Sequence, residues 1–231
     1  MRRWRFFILL VVLAGGMAAL YAAARTDFLP DRYNPLAPLN LAEEPNSVTD
    51  WKLWLMADDL SACIAALRRA GVEVEPMPPQ SERPDCTREG TVKIAKLSSA
   101  VIGDEEMRCD VAMRLYLLER HVMQPSVRRH LGSGIVRLTH FGSYSCRNIA
   151  GSGRLSEHAT ANAFDLSGFV LADGRSVTLK TGWFQGGAAA AFLRDVRLGA
   201  CSLFNMVLSP DYNEAHADHF HFDMGFFRGC N

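Results

Sequence analysis

Two short segments hold most of the residues able to do chemistry. They are Ser156-Glu157-His158-Ala159-Thr160-Ala161-Asn162-Ala163-Phe164-Asp165 and His216-Ala217-Asp218-His219-Phe220-His221-Phe222-Asp223. A catalytic zinc site needs three protein ligands drawn from His, Asp and Glu, with a fourth position open to water. His158, Asp165 and His221 supply such a set for one zinc ion. On a strand, residues two apart face the same way, so His219 and His221 look into one cleft while Phe220 and Phe222 pack behind them. One imidazole then serves the metal and the other stands beside its water. His216 falls at odd spacing from both, and strand geometry turns it elsewhere, outside the ligand set. The competing reading of the second segment is an ordinary solvated His-x-His edge. His121, His130 and His140, each isolated, read as surface or satisfied core residues.

The elements that must position these residues follow from hydrophobic spacing. Leu53, Trp54, Leu60, Ile64 and Leu67 recur at helical intervals from about Thr49 or Asp50 to a stop at Gly71. Residues 72–84 read as strand into Pro-rich loop, and 92–97 as a half-buried strand. Residues 109–123 return to helical spacing, and Pro125 opens a short helix ending at Gly132. Residues 135–141 alternate as a strand. Strands at 163–170 and 176–179 flank Asp173-Gly174 as a hairpin. Residues 187–198 are Ala-rich and helical, and 204–208 and 219–224 are strand-like. Helices and strands alternate without a βαβ rhythm, so the class is α+β.

Composition narrows the setting. The 231 residues carry 25 basic and 25 acidic side chains with no like-charge block, which sets nucleic acid aside as a partner. A basic start, Met1-Arg2-Arg3-Trp4-Arg5, precedes an uncharged run from Phe6 to Ala24 long enough to span a hydrocarbon core. Basic residues before the run place the remainder on the extracytoplasmic, periplasmic side. A retained inner-membrane anchor is the favoured reading, and Ala22-Ala23-Ala24 leaves cleavage of a signal segment, and so secretion, as the alternative. The chain divides into anchor or signal (1–25), an extended linker (26–46) and one domain (47–231). All six cysteines lie beyond the apolar run and read as up to three disulfides, with Cys63 and Cys86 paired on sequence proximity.

The first chemical segment resembles the Ser-x-His-x-x-Gly-x-Ala-x-Asp signature of the zinc D-Ala-D-Ala metallopeptidases, relatives of lysostaphin-type endopeptidases and hedgehog-type domains. The second resembles their closing His-x-His or Glu-x-x-His motif. Gly142-Ser143-Tyr144-Ser145-Cys146-Arg147, Ser156-Glu157-His158-Ala159 and Asp211-Tyr212-Asn213 through His221 resemble more closely the bacterial extensin-like C-terminal domain family, over about residues 35–230. The resemblance implies a small antiparallel sheet with flanking helices and a zinc ion held by His158, Asp165 and His221. It also implies a general base in Asp218 or His219, and an oxyanion-stabilising cation in Arg147. Ser156 and Glu157 would orient the His158 ring. Ala161 stands where the metallopeptidase signature has Gly, and Asp218 where one branch has Glu. The activity implied is hydrolysis of a peptidoglycan or other cell-wall peptide, of D,D-carboxypeptidase or endopeptidase type. The alternative is a non-catalytic zinc-containing cell-wall binding or scaffold module.

Overall fold

A computed structural model describes residues 2–26, 28–149 and 151–231 of the chain. Helix α1 (Arg2–Ala24) includes the 21-residue stretch Trp4–Ala24, long and apolar enough to cross a membrane. At 1.5 Å per residue this stretch reaches about 32 Å, close to the thickness of a hydrocarbon core. It has the character of a membrane anchor or a signal sequence. Among the described residues of 25–46, Asp31–Tyr33 forms a 3-10 turn, and Leu39 and Leu41 lie in the domain's core.

One helix is expected from about residue 49 to Gly71, and the chain forms two. Helix α2 (Ser47–Met56) starts on Asn46, whose side chain accepts from the backbone N–H groups of Val48 and Thr49. Asp59 then accepts from the Ala62 N–H at 2.9 Å and starts α3 (Leu60–Arg69). A competing cap thus breaks a run that periodicity alone reads as continuous. Gly71, at φ +82°, ends α3.

The remaining elements form one sheet covered by helices. In chain order they are β1 (Glu75–Pro76), β2 (Gln80–Ser81), β3 (Thr87–Arg88), β4 (Thr91–Lys96), β5 (Val101–Arg108) and α4 (Cys109–Leu118). A wide helical turn, Glu119–Met123, leads into α5 (Gln124–Leu131) and β6 (Ile135–Gly142). After a 3-10 turn, Glu157–Thr160, come β7 (Ala163–Leu171), β8 (Ser176–Thr178), α6 (Leu179–Gly182), α7 (Gly187–Leu203) and β9 (Met206–Leu208). A last 3-10 turn, Glu214–His216, precedes β10 (Phe220–Asp223) and β11 (Gly229–Cys230). The strand order is β1-β4-β5-β6-β7-β10-β9-β11, with β8 also on β7 and β2–β3 forming a separate ribbon.

The sheet is large and mixed, which corrects the expectation of a small antiparallel one: nine strands join it, and β5–β6 and β9–β11 run parallel. Strand β5 escapes a pattern reading because Gly103-Asp104-Glu105-Glu106 interrupts its apolar alternation. β2, β3 and β11, of two residues each, are too short to show a period and are specified by their neighbours. Every residue of α4 is buried, and α4 forms the hydrophobic centre with Phe164, Phe169, Phe192 and Val196 from β7 and α7.

Three disulfides close the domain: Cys63–Cys109, Cys86–Cys146 and Cys201–Cys230. The Cys63–Cys86 pairing expected from proximity is therefore wrong. Cys63 on α3 faces the first residue of α4, while Cys86 meets the loop after β6, so tertiary packing overrides sequence distance. Closing the 46-residue separation between Cys63 and Cys109 restricts the unfolded chain by about 4 kcal/mol on the loop-entropy estimate. Cys63→Ala with Cys109→Ala is expected to lower the unfolding free energy by about 2–5 kcal/mol in urea titrations. A loss below about 1 kcal/mol would contradict this account of α3 docking.

Candidate functional site

Strand pairing brings the chemical segments together. In the antiparallel β7–β10 ladder, His221 lies directly opposite Asp165, Phe220 opposite Leu166 and Phe222 opposite Phe164. The period of two turns His221 to one side and buries Phe220 and Phe222 on the other, as expected from spacing. Phe222 stacks on Phe204 at 5.1 Å, and Phe220 meets Trp183 edge-on at 5.5 Å. A slip of one residue would turn the imidazole into the apolar core and a phenyl ring toward the polar cluster, so this packing fixes the register.

His158 arrives on the turn Glu157–Thr160. Ser156 starts the turn by accepting from the His158 N–H, and Ala161 ends it at φ +54°, the sole positive φ outside glycine among the described residues. Ala161 therefore takes up the left-handed conformation for which glycine is suited, at an expense of roughly 1 kcal/mol. Its N–H donates to the His158 carbonyl, and its own carbonyl accepts from the Arg108 N–H at 2.9 Å and the Ser143 hydroxyl at 3.2 Å. Neither Ser156 nor Glu157 hydrogen-bonds the His158 ring that the resemblance expects them to orient. Ser156 caps backbone, and Glu157 accepts from the Asn162 side chain at 2.7 Å.

Three ligand-type atoms converge. His158 Nε2 lies 3.1 Å from Asp165 Oδ1, His221 Nδ1 lies 2.9 Å from the same oxygen, and the two nitrogens are 3.1 Å apart. All three residues are buried and offer these atoms within 4.8 Å of one another. The far nitrogens are committed outward: His158 Nδ1 to the Ser143 carbonyl at 2.7 Å, and His221 Nε2 to Asp223 Oδ2 at 2.8 Å. Asp223 is held in turn by the Gly225 N–H at 2.8 Å. A histidine that donates one N–H presents a lone pair on the other nitrogen. Two lone pairs and a carboxylate oxygen can therefore face one centre, a donor set suited to a divalent cation. Ligand atoms on a tetrahedral zinc with bonds near 2.0–2.1 Å stand about 3.3 Å apart, so the set fits that ion after outward shifts of a few tenths of an ångström.

Protonation tells the same story from the other side. Burial pushes His221 down, but hydrogen bonds and charge from Asp165 and Asp223 outweigh it and raise the group to about 9. Burial pushes the Asp165 carboxyl up, and hydrogen bonds with charge from His158 and His221 overcome this to hold it well below the usual carboxylate range. A proton on His221 meets the same need for positive charge at the centre.

Around the cluster, His219 Nδ1 meets Asp218 Oδ1 at 2.9 Å, while its Nε2 lies 3.7 Å from Asp165 Oδ1. Asp218 is 44% exposed and turned toward His219, so His219 borders the cluster with Asp218 behind it. Arg147 Nη2 lies 4.0 Å from Asp165 Oδ2. Its loop is pinned by Cys86–Cys146, by Ser145 N–H to the His158 carbonyl at 3.0 Å, and by its own carbonyl accepting from the Ser156 N–H at 3.1 Å. All six singled-out residues thus gather at one place. His121, His130 and His140 make ordinary structural bonds to the Leu41 carbonyl, Asp195 and the Ile102 carbonyl.

Three further residues belong to the site that the sequence reading does not place there. Asp223 continues the alternation of His219 and His221 and could have been found from it. Ser143 acts through a backbone carbonyl, which leaves no trace in residue type. His216, placed outside the site on strand spacing, sits on a separate 3-10 turn that returns its ring to 5.2 Å from His219 and 5.9 Å from His221. Burial first, then charge on His219 and His221, lower it to about 4, so it is neutral at neutral pH.

Fold and site together define an α+β domain tied by disulfides, with a buried His-His-Asp cluster on paired strands as a candidate metal centre. The chain matches the family described as extensin-like protein C-terminus over residues 61–231 and belongs to that family. No curated protein and no solved structure matches it.

A metal ion held by this cluster would compete with the proton on His221, so affinity for zinc is expected to rise about tenfold per pH unit between about 7 and 9. Competition titrations at several pH values measure this, and a flat profile would contradict it. The sign reverses for the metal-free domain. His221 is raised from 6.5 to about 9, so its contribution to stability is full below pH 6.5 and is lost as pH climbs through 9. Asp223→Asn is expected to weaken zinc binding about 10- to 100-fold by isothermal titration.

Proposed function

We propose that this chain is an extracytoplasmic zinc-dependent peptidase that hydrolyses peptide bonds of the cell wall, of D,D-carboxypeptidase or endopeptidase type. The observation that carries the reading is the convergence of His158 Nε2, His221 Nδ1 and Asp165 Oδ1, with both outer ring nitrogens already tied. Three ligands from this set leave a coordination position for water, the arrangement of catalytic rather than structural zinc. The motif resemblance to zinc D-Ala-D-Ala metallopeptidases supplies the reaction class. Disulfides and the apolar α1 support an oxidising compartment outside the cytoplasm, where peptidoglycan peptides are the substrates at hand.

Bound there, zinc supplies Lewis acidity, polarising a scissile carbonyl and bringing the pKa of water to about 7. The chain's own residues do the rest. His219 is the base: Asp218 holds its Nδ1 proton, which leaves Nε2 facing the cluster to take a proton from water and return it to the departing amine. Asp218 positions that imidazole and stabilises its charged form. Arg147 offers a cation on the Asp165 side, suited to the developing oxyanion or to a terminal carboxylate. Neutral His216 packs against the His219 ring and limits its rotation.

Digestion of purified peptidoglycan with wild-type and variant protein tests this, read as new amine ends beside zinc content. His158→Ala is expected to lose both zinc and cleavage. His219→Ala is expected to keep zinc while cleavage falls about 10²- to 10⁴-fold. Arg147→Ala is expected to keep zinc and lose about 2–4 kcal/mol of transition-state stabilisation. Zinc-dependent retention on peptidoglycan without new amine ends would instead establish a binding module.

A further inference from the structure

Helix α2 buries Thr49, Lys52 and Leu53 and leaves Trp51, Trp54 and Leu55 at 49%, 64% and 53% exposure. The two indole rings lie 5.3 Å apart, so they form one aromatic surface rather than scattered apolar contacts. A patch of this kind on one helix face marks a contact surface.

Its place in the fold identifies the occupant. The carbonyl of Ala24, at the end of α1, accepts from the Asn34 side chain at 2.8 Å, and both residues are buried. The turn Asp31–Tyr33 lies between them and is bound to α2 on its other side. Lys52 Nζ donates to the Asp31 carbonyl at 3.2 Å, and the Asn46 side chain donates to the Arg32 carbonyl at 3.0 Å. Helix α2 is thus two hydrogen-bonded steps from the end of the membrane-length helix. Tyr33 and Leu36 on the connecting stretch are exposed, and the Arg32 guanidinium stands 4.8 Å from the Tyr33 ring. Trp and Tyr concentrate in the headgroup layer, where an apolar ring and a polar N–H or O–H are both satisfied.

We propose that Trp51, Trp54 and Leu55, with Tyr33 and Leu36, form a membrane-interface contact that seats the domain on the headgroup layer where α1 leaves the bilayer. The surface rests on α1 as a retained anchor. Asp50 lies on the same helix, and Asp58 just beyond it is already paired with Arg108 at 3.0 Å. Asp50 on one side of the patch is balanced by Arg32 on the other, so the surface suits zwitterionic lipid and the contact is expected to persist at high salt.

The test uses the full chain carrying Trp4→Phe, reconstituted in phosphatidylcholine vesicles with or without bromine on the upper acyl carbons. Trp183, 2% exposed beneath the site, serves as the internal reference. Brominated lipid is expected to reduce tryptophan emission by about a third or more, in low and high salt alike. Adding Trp51→Phe and Trp54→Phe is expected to abolish the reduction and leave the Trp183 signal intact. Equal emission in the two lipids, or quenching that appears only with anionic lipid, would overturn the proposal. A chain that fails to float with the vesicles would overturn it separately, by removing the anchor.

Discussion

Two imidazole lone pairs and a carboxylate oxygen, held at 2.9–3.1 Å from one another, form an arrangement that needs positive charge at its centre. Buried polar groups without a partner cost free energy on the order of the hydrogen bonds they forgo, and a buried carboxylate costs more. A metal ion or the His221 proton meets the requirement. The scaffold therefore has to do two things at once: bring the acceptors close, and keep their outer atoms bonded so that none can turn away.

Each requirement falls to a different part of the fold. Closeness comes from the β7–β10 register, which the phenyl rings of Phe220 and Phe222 lock from behind. Orientation comes from Ser143, whose backbone N–H and hydroxyl are tied to Glu105 and to the Ala163 carbonyl, leaving its own carbonyl fixed beneath His158. Asp223 performs the matching task for His221. The turn carrying His158 ends in a left-handed alanine, so local backbone strain is tolerated where the ligand must point inward. Cys86–Cys146 ties the Arg147 loop to the start of β3, and the Ser145 N–H, donating to the His158 carbonyl, holds that loop against the turn.

Much of the site was legible in the amino-acid sequence because its chemistry sits in side-chain types at strand spacing. His219, His221 and the buried Phe220 and Phe222 behave as a period of two requires, and His158 and Asp165 join His221 as their types suggested. Ala161 stands where the resembling metallopeptidase signature has Gly, and its backbone adopts the left-handed conformation that glycine favours. Less could be read where backbone or long-range packing decides. The Ser143 carbonyl has no sequence signal, His216 depends on a turn that resets the strand phase, and the disulfide partners are chosen by how α3 and α4 dock. In the sheet, acidic β5 and the shortest strands exist only because neighbours pair with them, which is why its size and mixed direction were misjudged.

The central claim is that His158, Asp165 and His221 share one divalent ion. X-ray absorption at the zinc edge, on protein stripped of metal and reloaded with one equivalent, tests it most directly. The account requires one tightly held zinc per chain with nitrogen and oxygen neighbours near 2.0–2.1 Å, two of them imidazoles, and loss of that signal in Asp165→Ala. Zinc that washes away, or an imidazole count unchanged in Asp165→Ala, would contradict it.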